Sequence, residues 1–523
     1  MIRDLSGITA QRQEVVADIL VIGGGIAGLL VATRLARAGR RVLVAESGGL
    51  TQIGETHPLN EVEQLGDTYL GAVAGRFRCL GGTSTRWGGA MLPFLPVDMA
   101  PHSAGWNVDW PIGLSDLTAY QSEVERLFSL GSGPYEHPDI MPGRGDAAAS
   151  FVPRLAKWPP FRLRNVATLL AADLRSATGP QVWLNATATS FAFDPAGRLG
   201  TVAMRSFNGR ELSVAARQTI IAAGAIESTR LLLLADRQHG DRIFAPDDVL
   251  GRYFYDHLST PAGRLVDVRR RKLNRVVGFR FEGAAMRNLR FEPSAQLRAG
   301  RKLPAGFAHI AFRTDRPAGF EALRDVYRKL QRRERPGARD VAALAVAMPW
   351  LVRAVWWRFV EKRLLFPDGA DLDLVLVIEQ EPRADNRIGL SARRSDPHGC
   401  PLAAIDWRVH DGDVAHVRAT TDAFVAAWND GPLAGLGRIV PRLPEDLKAA
   451  LARGGGIAHP GGSVRMGTSA ANGVVDRDLQ TFRVPNLSVV STATFPTGGG
   501  ANPTMMLMMA ALRLADRVAG QSW

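Results

Sequence analysis

Asp18-Ile19-Leu20-Val21-Ile22-Gly23-Gly24-Gly25-Ile26-Ala27-Gly28 is a short apolar run that breaks into a glycine turn and then opens an Ala/Leu-rich helical pattern through Ala38. This reads as strand, turn, helix. Gly23 permits the tight turn, Gly25 lets a pyrophosphate approach the backbone, and Gly28 allows close packing of the helix, whose N-terminus carries partial positive charge. The spacing G-x-G-x-x-G is weak evidence alone. Here Arg41-Val42-Leu43-Val44-Ala45 supplies a second strand ending at Glu46, where a carboxylate can accept hydrogen bonds from the ribose hydroxyls of an adenosine. The complete βαβ unit with its acid predicts a dinucleotide site.

Three distant segments extend that site. Leu80-Gly81-Gly82-Thr83-Ser84-Thr85-Arg86-Trp87-Gly88-Gly89 is a loop whose glycines free the backbone to approach a planar ligand and whose hydroxyls offer hydrogen bonds. Thr219-Ile220-Ile221-Ala222-Ala223-Gly224-Ala225-Ile226-Glu227-Ser228 reads as an apolar strand breaking at a small-residue turn, then a helix from Thr229 to Ala235, so that Gly224 returns to the nucleotide. The third segment, Ile457 to Gly520, places His459 before the glycine turn Pro460-Gly461-Gly462. It continues through a strand at Asn486-Leu487-Ser488-Val489-Val490 to Phe495-Pro496-Thr497-Gly498-Gly499-Gly500-Ala501-Asn502-Pro503-Thr504 and a last helix ending near Ala519. Asn502 as N-cap and Pro503 at the first helical position suit that start. A helix N-terminus there would stabilise the negative charge of a reduced flavin. Together the segments favour FAD over NAD.

With these motifs, and with Trp110-Pro111-Ile112, Gly251-Arg252-Tyr253 and Glu379-Gln380, the sequence resembles the glucose-methanol-choline (GMC) oxidoreductases nearly from end to end. The resemblance implies a discontinuous α/β Rossmann-like FAD-binding domain and an α+β substrate domain with a largely antiparallel sheet. The pattern is most like the branch of pyranose oxidases and bacterial sugar or alcohol dehydrogenases, in which a His and an Asn form the catalytic pair; His459 and Asn502 match those positions. Flavin contacts are expected from Gly23, Gly25, Gly28 and Glu46, from Gly81, Gly82, Thr83, Ser84, Trp87 and Gly88, and from Gly224, Thr492, Pro503 and Thr504. Two departures stand out. Arg86 occupies the place of a histidine that bonds covalently to flavin in pyranose-oxidase-like chains, which implies noncovalent FAD. Ser491-Thr492-Ala493 replaces the Asp-Ala-Ser of many relatives, which puts one polar contact to the cofactor in doubt.

The chemistry expected is oxidation of an alcohol to a carbonyl. Hydride leaves a carbinol carbon readily only if the hydroxyl proton is taken at about the same time, and a neutral histidine suits that role. His459 is therefore the expected base, Asn502 the group that holds oxygen or imidazole, and FAD the acceptor. His257 and His309 are further candidates for the pocket wall, and Arg465 is expected to secure the turn after His459. A sugar or glycoside hydroxyl is the favoured substrate, ahead of a sterol, a lipid-linked or a simple aliphatic alcohol. Oxygen, a quinone or another acceptor would reoxidise the flavin, and sequence does not separate oxidase from dehydrogenase. The non-enzymatic alternative, a decayed flavin-binding scaffold, is opposed by the intact His459 and Asn502.

Bulk properties set the frame. A chain of 523 residues with 46% hydrophobic and 22% charged residues predicts two joined domains. We assign 15–120, 165–260 and 455–523 to the FAD domain, and 121–164 with 261–454 to the substrate domain. Cys79 and Cys400 lie in neither a metal spacing nor a paired framework, so no metal or disulfide is expected. Met1 to Val16 carries charges and no apolar h-region, which predicts a cytoplasmic setting. The net charge of +13 is unevenly spread: Glu321 to Arg363 holds eleven Lys/Arg against five Asp/Glu. No nucleic-acid motif accompanies it, so nucleic acid is not an expected partner.

That basic stretch opens a segment, 321–367, unlike the rest of a substrate domain. A basic helix is expected over Glu321 to Arg335, then an apolar run from Val341 to Val360, interrupted by Pro349, Arg353 and Arg358 and rich in tryptophan. Two readings stand: a helix lying on an anionic membrane surface, peripheral at its inner face, or a helical hairpin buried against the substrate domain or a partner.

Overall fold

In the computed structural model, which describes residues 1–141, 150–313, 335–500 and 502–521 and five positions between 322 and 329, the opening strand is longer than its apolar run. Arg12–Ile22 is one strand, exposed or half-exposed to Val16, buried at Ala17 and, past the half-buried Asp18, buried from Ile19 onward. Its buried end lies at the centre of an eight-stranded sheet. Ile2–Asp4, Gln181–Leu184, Val42–Ala45, Arg12–Ile22 and Glu211–Ile221 are parallel neighbours in that order, and Leu487–Val489 pairs parallel to the end of Glu211–Ile221. Leu199–Arg205 and Thr187–Phe193 complete the edge as an antiparallel pair. Uninterrupted runs such as Ile19 to Ile22 and Val42 to Ala45 fit strands buried on both faces. Helices Ile26–Arg37 and Thr504–Ala519 pack against each other, so the two ends of the sequence meet in one core.

The second sheet is antiparallel throughout, in the order Arg280–Glu282, Ala285–Pro293, Gly306–Arg313, Asp371–Glu379, His257–Val266, Arg438–Pro441, with Phe151–Trp158 on Ala285–Pro293. The 19-residue helix Asp411–Asn429 packs against this sheet through Phe424 and Trp428. A small sheet of Arg387–Ser395, Pro401–Asp406 and Val62–Gln64 is bridged to the first by helix Ala225–Gln238, which starts one turn earlier than its sequence pattern predicts. Strand His257–Val266 runs through the domain boundary drawn at 260, because residues on both sides of that point pair with Asp371–Glu379.

Of the expected basic helix over Glu321 to Arg335, nine of fifteen positions fall outside the described residues, and Ala322, Leu323, Asp325, Val326 and Lys329 are helical. The apolar run after it is broken rather than continuous: Ala338–Val346 and Met348–Glu361 are bent by 65° at Ala347. Pro349 explains the break, since its ring excludes the carbonyl four residues back and it has no N–H to donate. Among the described residues no single helix is long and apolar enough to cross a membrane. Part of the pair is anchored: Trp350 and Trp357 are buried, and Trp350 Nε1 donates to the Phe366 carbonyl. Val341, Val346, Met348, Val352, Val355, Trp356, Phe359 and Val360 are exposed.

Candidate active site

A cavity of about 770 Å³ opens where four parallel strands end and the antiparallel sheet passes over them. Chain reversal at the end of each strand supplies its floor: Gly23 follows Ile22, Glu46 follows Ala45, Ala222 follows Ile221, and Val490 follows Val489. Strand ends in an open parallel sheet are where backbone groups are free to face a ligand.

At the first of these turns Gly23 adopts φ +110°, and a Cβ there would meet the Ala222 carbonyl oxygen at 2.5 Å. Gly28 serves packing instead, since its Cβ would strike the Gly23 carbonyl oxygen at 1.9 Å. Gly25 differs from both. A Cβ on it would touch no protein atom within 4 Å and would enter the cavity that Gly25 lines. The helix begun at Gly25 has no side-chain cap, so its first N–H groups remain available to a ligand. Glu46 Oε2 accepts from Gly24 N–H at 2.7 Å and Oε1 from Gly48 N–H at 2.8 Å, while burial raises its carboxyl pKa.

The Gly81–Gly89 loop lies against this turn. Gly81 N–H donates to the Gly24 carbonyl at 2.8 Å, and the backbones approach so closely that a Cβ on Gly82 would meet Gly25 Cα at 2.9 Å. Gly82, Thr83, Arg86, Trp87 and Gly88 line the cavity. Trp87 is steered by its indole N–H, which donates to the Arg164 carbonyl. Ser84 turns away: its hydroxyl donates to the Gly81 carbonyl and accepts from Val166 N–H. Of the expected cofactor contacts, Gly28, Gly81 and Ser84 therefore stand behind the wall and shape it, whereas Gly23, Gly25, Glu46, Gly82, Thr83, Trp87, Gly88, Gly224, Thr492, Pro503 and Thr504 line it.

Opposite, His459 and Asn502 meet: Asn502 Nδ2 lies 3.0 Å from His459 Nε2, and Asn502 Oδ1 accepts from Arg290 Nη2 at 2.9 Å. A guanidinium only donates, so it fixes the amide with oxygen toward Arg290 and NH₂ toward His459. His459 Nε2 is then the acceptor and Nδ1 carries the ring proton. Burial first, then the His257 ring and the Arg290 charge, hold His459 well below the usual imidazole pKa. It is neutral at pH 7, as a base must be.

Both partners are pinned through their backbones. Ala458, at φ +63°, turns the chain into His459, and the buried Asp256 Oδ1 accepts the His459 N–H at 2.9 Å and the His257 N–H at 2.6 Å; Tyr69 donates to Oδ2 at 2.5 Å. Asp256, His257 and His459 have ligating atoms within 4.8 Å of one another, but these N–H and O–H donors already engage both Asp256 oxygens. The Asn502 loop is held at Gly499, whose N–H donates to Glu379 Oε2 and whose carbonyl accepts from His257 Nε2, both at 2.8 Å. Burial would raise the Glu379 carboxyl, but His102, Arg298 and the Ala305 N–H outweigh it and bring it to about 2. One sequence expectation shifts by a residue. Helix Thr504–Ala519 has Pro503 as its N-cap, because the Asn502 side chain is committed to Arg290 and His459 instead of capping.

Comparison with known proteins agrees with this arrangement. A family model described as GMC oxidoreductase matches residues 382–511, and one described as FAD binding domain matches 18–57. Paromamine 6'-oxidase of Streptomyces fradiae is 26% identical over 98% of this chain and 93% of its own length. The 2-methyl-1,2-propanediol dehydrogenase of Mycolicibacterium austroafricanum is 23% identical over 96% of this chain and 95% of its own. The solved structure of pyridoxine 4-oxidase from Mesorbium loti superposes with a TM-score of 0.58 at 15% identity, covering 97% of this chain and 100% of that one, a likeness of fold. The chain is similar to GMC oxidoreductases: residues 382–511 match that model, and the likeness to curated alcohol oxidoreductases runs nearly end to end.

It uses FAD, and the residues present fit that cofactor. Two helix N-termini, at Gly25 and Pro503, reach the cavity without side-chain caps or acidic residues in their first turns. Gly25 and Gly224 leave room that a Cβ would take. Sequence reading missed Ser47, Asn60, Arg76 and Arg78 along the nucleotide wall, and Arg290 and Phe307 in the roof. No local signal marks them, for a strand reading Ala285-Met286-Arg287-Asn288-Leu289-Arg290 gives no reason to separate one arginine from the other. His309 does line the cavity, His257 stands behind His459 at 5.2 Å between ring centroids, and Arg465 lies over Tyr253 and donates to the Asn472 carbonyl.

Proposed function

We propose that this enzyme oxidises a hydroxyl group to a carbonyl with His459 as the base and Asn502 as the group that holds the substrate oxygen. The observation that carries this reading is the 3.0 Å contact between His459 Nε2 and an amide whose orientation Arg290 dictates, both on the cavity wall. A hydroxyl entering between them donates its proton to His459 Nε2 and accepts from Asn502 Nδ2. As the proton moves to Nε2, the amide N–H stabilises the charge gathering on oxygen. Bound FAD supplies the hydride acceptor. The buried clamps on His459 and Gly499 keep the pair at reacting distance without further ordering.

The relatives point to sugar or glycoside hydroxyls, with a simple aliphatic alcohol next. Arg86 in place of a bonding histidine supports noncovalent FAD: acid precipitation should release all flavin to the supernatant. Anaerobic mixing with panels of sugars, glycosides and alcohols, read as bleaching of the flavin absorbance, identifies the substrate, and reoxidation by air or quinone identifies the acceptor. His459→Ala should keep the yellow cofactor and slow bleaching by about 10²- to 10⁴-fold; undiminished bleaching would remove His459 from the mechanism.

A second reading concerns the bent helix pair. Its exposed apolar face is accompanied by Arg339, Arg353, Arg358, Lys362 and Arg363, and Trp350 joins it to Phe366 on the cavity wall. Apolar side chains among cations suit an anionic lipid surface, against which the pair would lie. Holoenzyme should co-sediment with phosphatidylserine vesicles, and a variant with Trp356, Phe359 and Val360 all changed to Ser should not; equal sedimentation would discard this reading.

A further inference from the structure

Arg290 is a buried cation with no ion-pair partner among the described residues. It is 3% exposed, and its guanidinium lies 3.9 Å from the centre of the Phe307 ring. Nη2 donates to Asn502, while Nε and Nη1, both shielded from water, have no hydrogen-bond partner among the described residues. The nearest acid on its own strand, Glu292, is paired with Arg154 at 2.7 Å. Burial lowers the Arg290 pKa, but only to about 10, so the group is charged at neutral pH. His309, its polar neighbour on the cavity wall, offers no compensating charge, since burial holds it neutral with a pKa of about 4. Asn288, on the same strand, also lines the cavity but its amide oxygen accepts from Trp158 Nε1, and Phe279, Phe307, Phe312 and Phe366 are apolar. A desolvated guanidinium with donors unmet is costly to keep unless a ligand supplies the missing charge and acceptors.

We propose that Arg290 binds a carboxylate of the substrate, so that the alcohol this enzyme oxidises is a hydroxy acid or sugar acid. The proposal rests on the assignment of His459 and Asn502. One amide separates the guanidinium from the base, at 2.9 Å on one side and 3.0 Å on the other. A substrate with its hydroxyl at His459 therefore presents to Arg290 whatever its next one or two carbons carry. A planar guanidinium with free N–H groups matches a carboxylate there better than any neutral group. The aromatic roof excludes water and thereby strengthens that pairing.

The experiment uses the FAD-loaded enzyme and matched pairs: hydroxy acids and sugar acids against their primary amides. Anaerobic flavin bleaching gives kcat/KM, and titration of carboxylates that lack a hydroxyl, such as acetate and benzoate, against the flavin spectrum gives a Kd without turnover. The parent should prefer acid over amide by about 10- to 100-fold, the range of a charge-assisted hydrogen bond. Arg290→Gln should slow both members, because Asn502 loses its orienting donor, but should abolish the acid-to-amide ratio and weaken benzoate in parallel; Arg290→Lys should restore part of each. A parent that treats acid and amide alike, or a Gln variant that lowers both while keeping the ratio, would overturn the proposal and leave Arg290 as a positioning residue for Asn502. If Arg290→Gln fails to retain FAD, the parent's acid-to-amide ratio and benzoate Kd decide alone. Undiminished bleaching by His459→Ala would instead overturn the underlying reading, so the two failures are distinct.

Discussion

Changing Asn502 to Asp replaces an amide with a carboxylate of nearly the same shape at the point where the base is kept neutral. In the parent the amide NH₂ faces His459 Nε2 at 3.0 Å and the oxygen faces Arg290. A carboxylate has no N–H to offer Nε2, so its second oxygen meets the imidazole lone pair, and the contact is relieved when Nε2 takes a proton. Two unit charges about 4 Å apart interact by ~4 kcal/mol at an effective dielectric constant of about 20, which corresponds to ~3 pKa units. Arg290 neutralises part of the new charge, leaving a rise of roughly 1.5 units or more in the His459 pKa. His459 starts well below 6.5 through burial, His257 and Arg290. The rate of flavin reduction, followed by anaerobic stopped-flow absorbance, should therefore be level in the parent between about pH 6 and 9. In Asn502→Asp the acid limb should begin at a pH roughly 1.5 units or more above the parent's, as the base becomes protonated earlier. Asn502→Ala, with no charge to contribute, should slow reduction at every pH without moving the acid limb. An Asp variant whose acid limb, followed down to the pH at which the parent's appears, is not displaced upward would refute the claim that His459 acts as a neutral base tuned by its partner.

Gly25→Val should abolish flavin retention while leaving the apoprotein's unfolding midpoint unchanged, because the new side chain enters only the cavity; a fully yellow variant would refute this. Gly28→Ala should instead lower the unfolding free energy by about 1–3 kcal/mol whether or not FAD is present, through its clash with Gly23. Tyr69→Phe withdraws a donor from the buried Asp256 carboxylate and should cost about 1–3 kcal/mol in urea unfolding. An unchanged midpoint would show that Asp256 does not depend on it. His309 is held neutral with a pKa of about 4, so above pH 6.5 its shift adds nothing, and from 6.5 down to 4 the unfolded chain gains a proton that the folded chain refuses. Stability should fall on that account by up to roughly 1.4 kcal/mol per pH unit, and His309→Gln should show a correspondingly shallower loss of apoprotein stability with acid.

Much of the molecule is legible before folding. Ile19 to Ile22 and Val42 to Ala45 are apolar enough to be buried on both faces, and the Gly23, Gly25, Gly28 spacing with Glu46 reports backbone constraints local to one turn. His459 and Asn502 stand in motifs whose glycines and prolines dictate the chain path on either side. The helix pair after residue 338 was legible only in part: its apolar length was visible, but Pro349 at the start of the second helix converts one run into two bent pieces, and the placement of Trp350 and Trp357 inward against an exposed face is a matter of packing.

The sequence by itself determined the dinucleotide turn, the parallel core strands and the two motifs that hold His459 and Asn502, because each depends on residues within a few positions of one another, where sterics and periodicity act. Only the tertiary structure decided what surrounds that pair. Arg290, 212 positions before Asn502, orients its amide; Asp256, 203 before His459, holds its backbone; and Glu379, 120 before Gly499, anchors the loop between them. Such contacts come from the antiparallel sheet folding over the parallel one, and desolvation at that junction, a property of no single segment, keeps the histidine neutral and leaves the arginine in want of an anion.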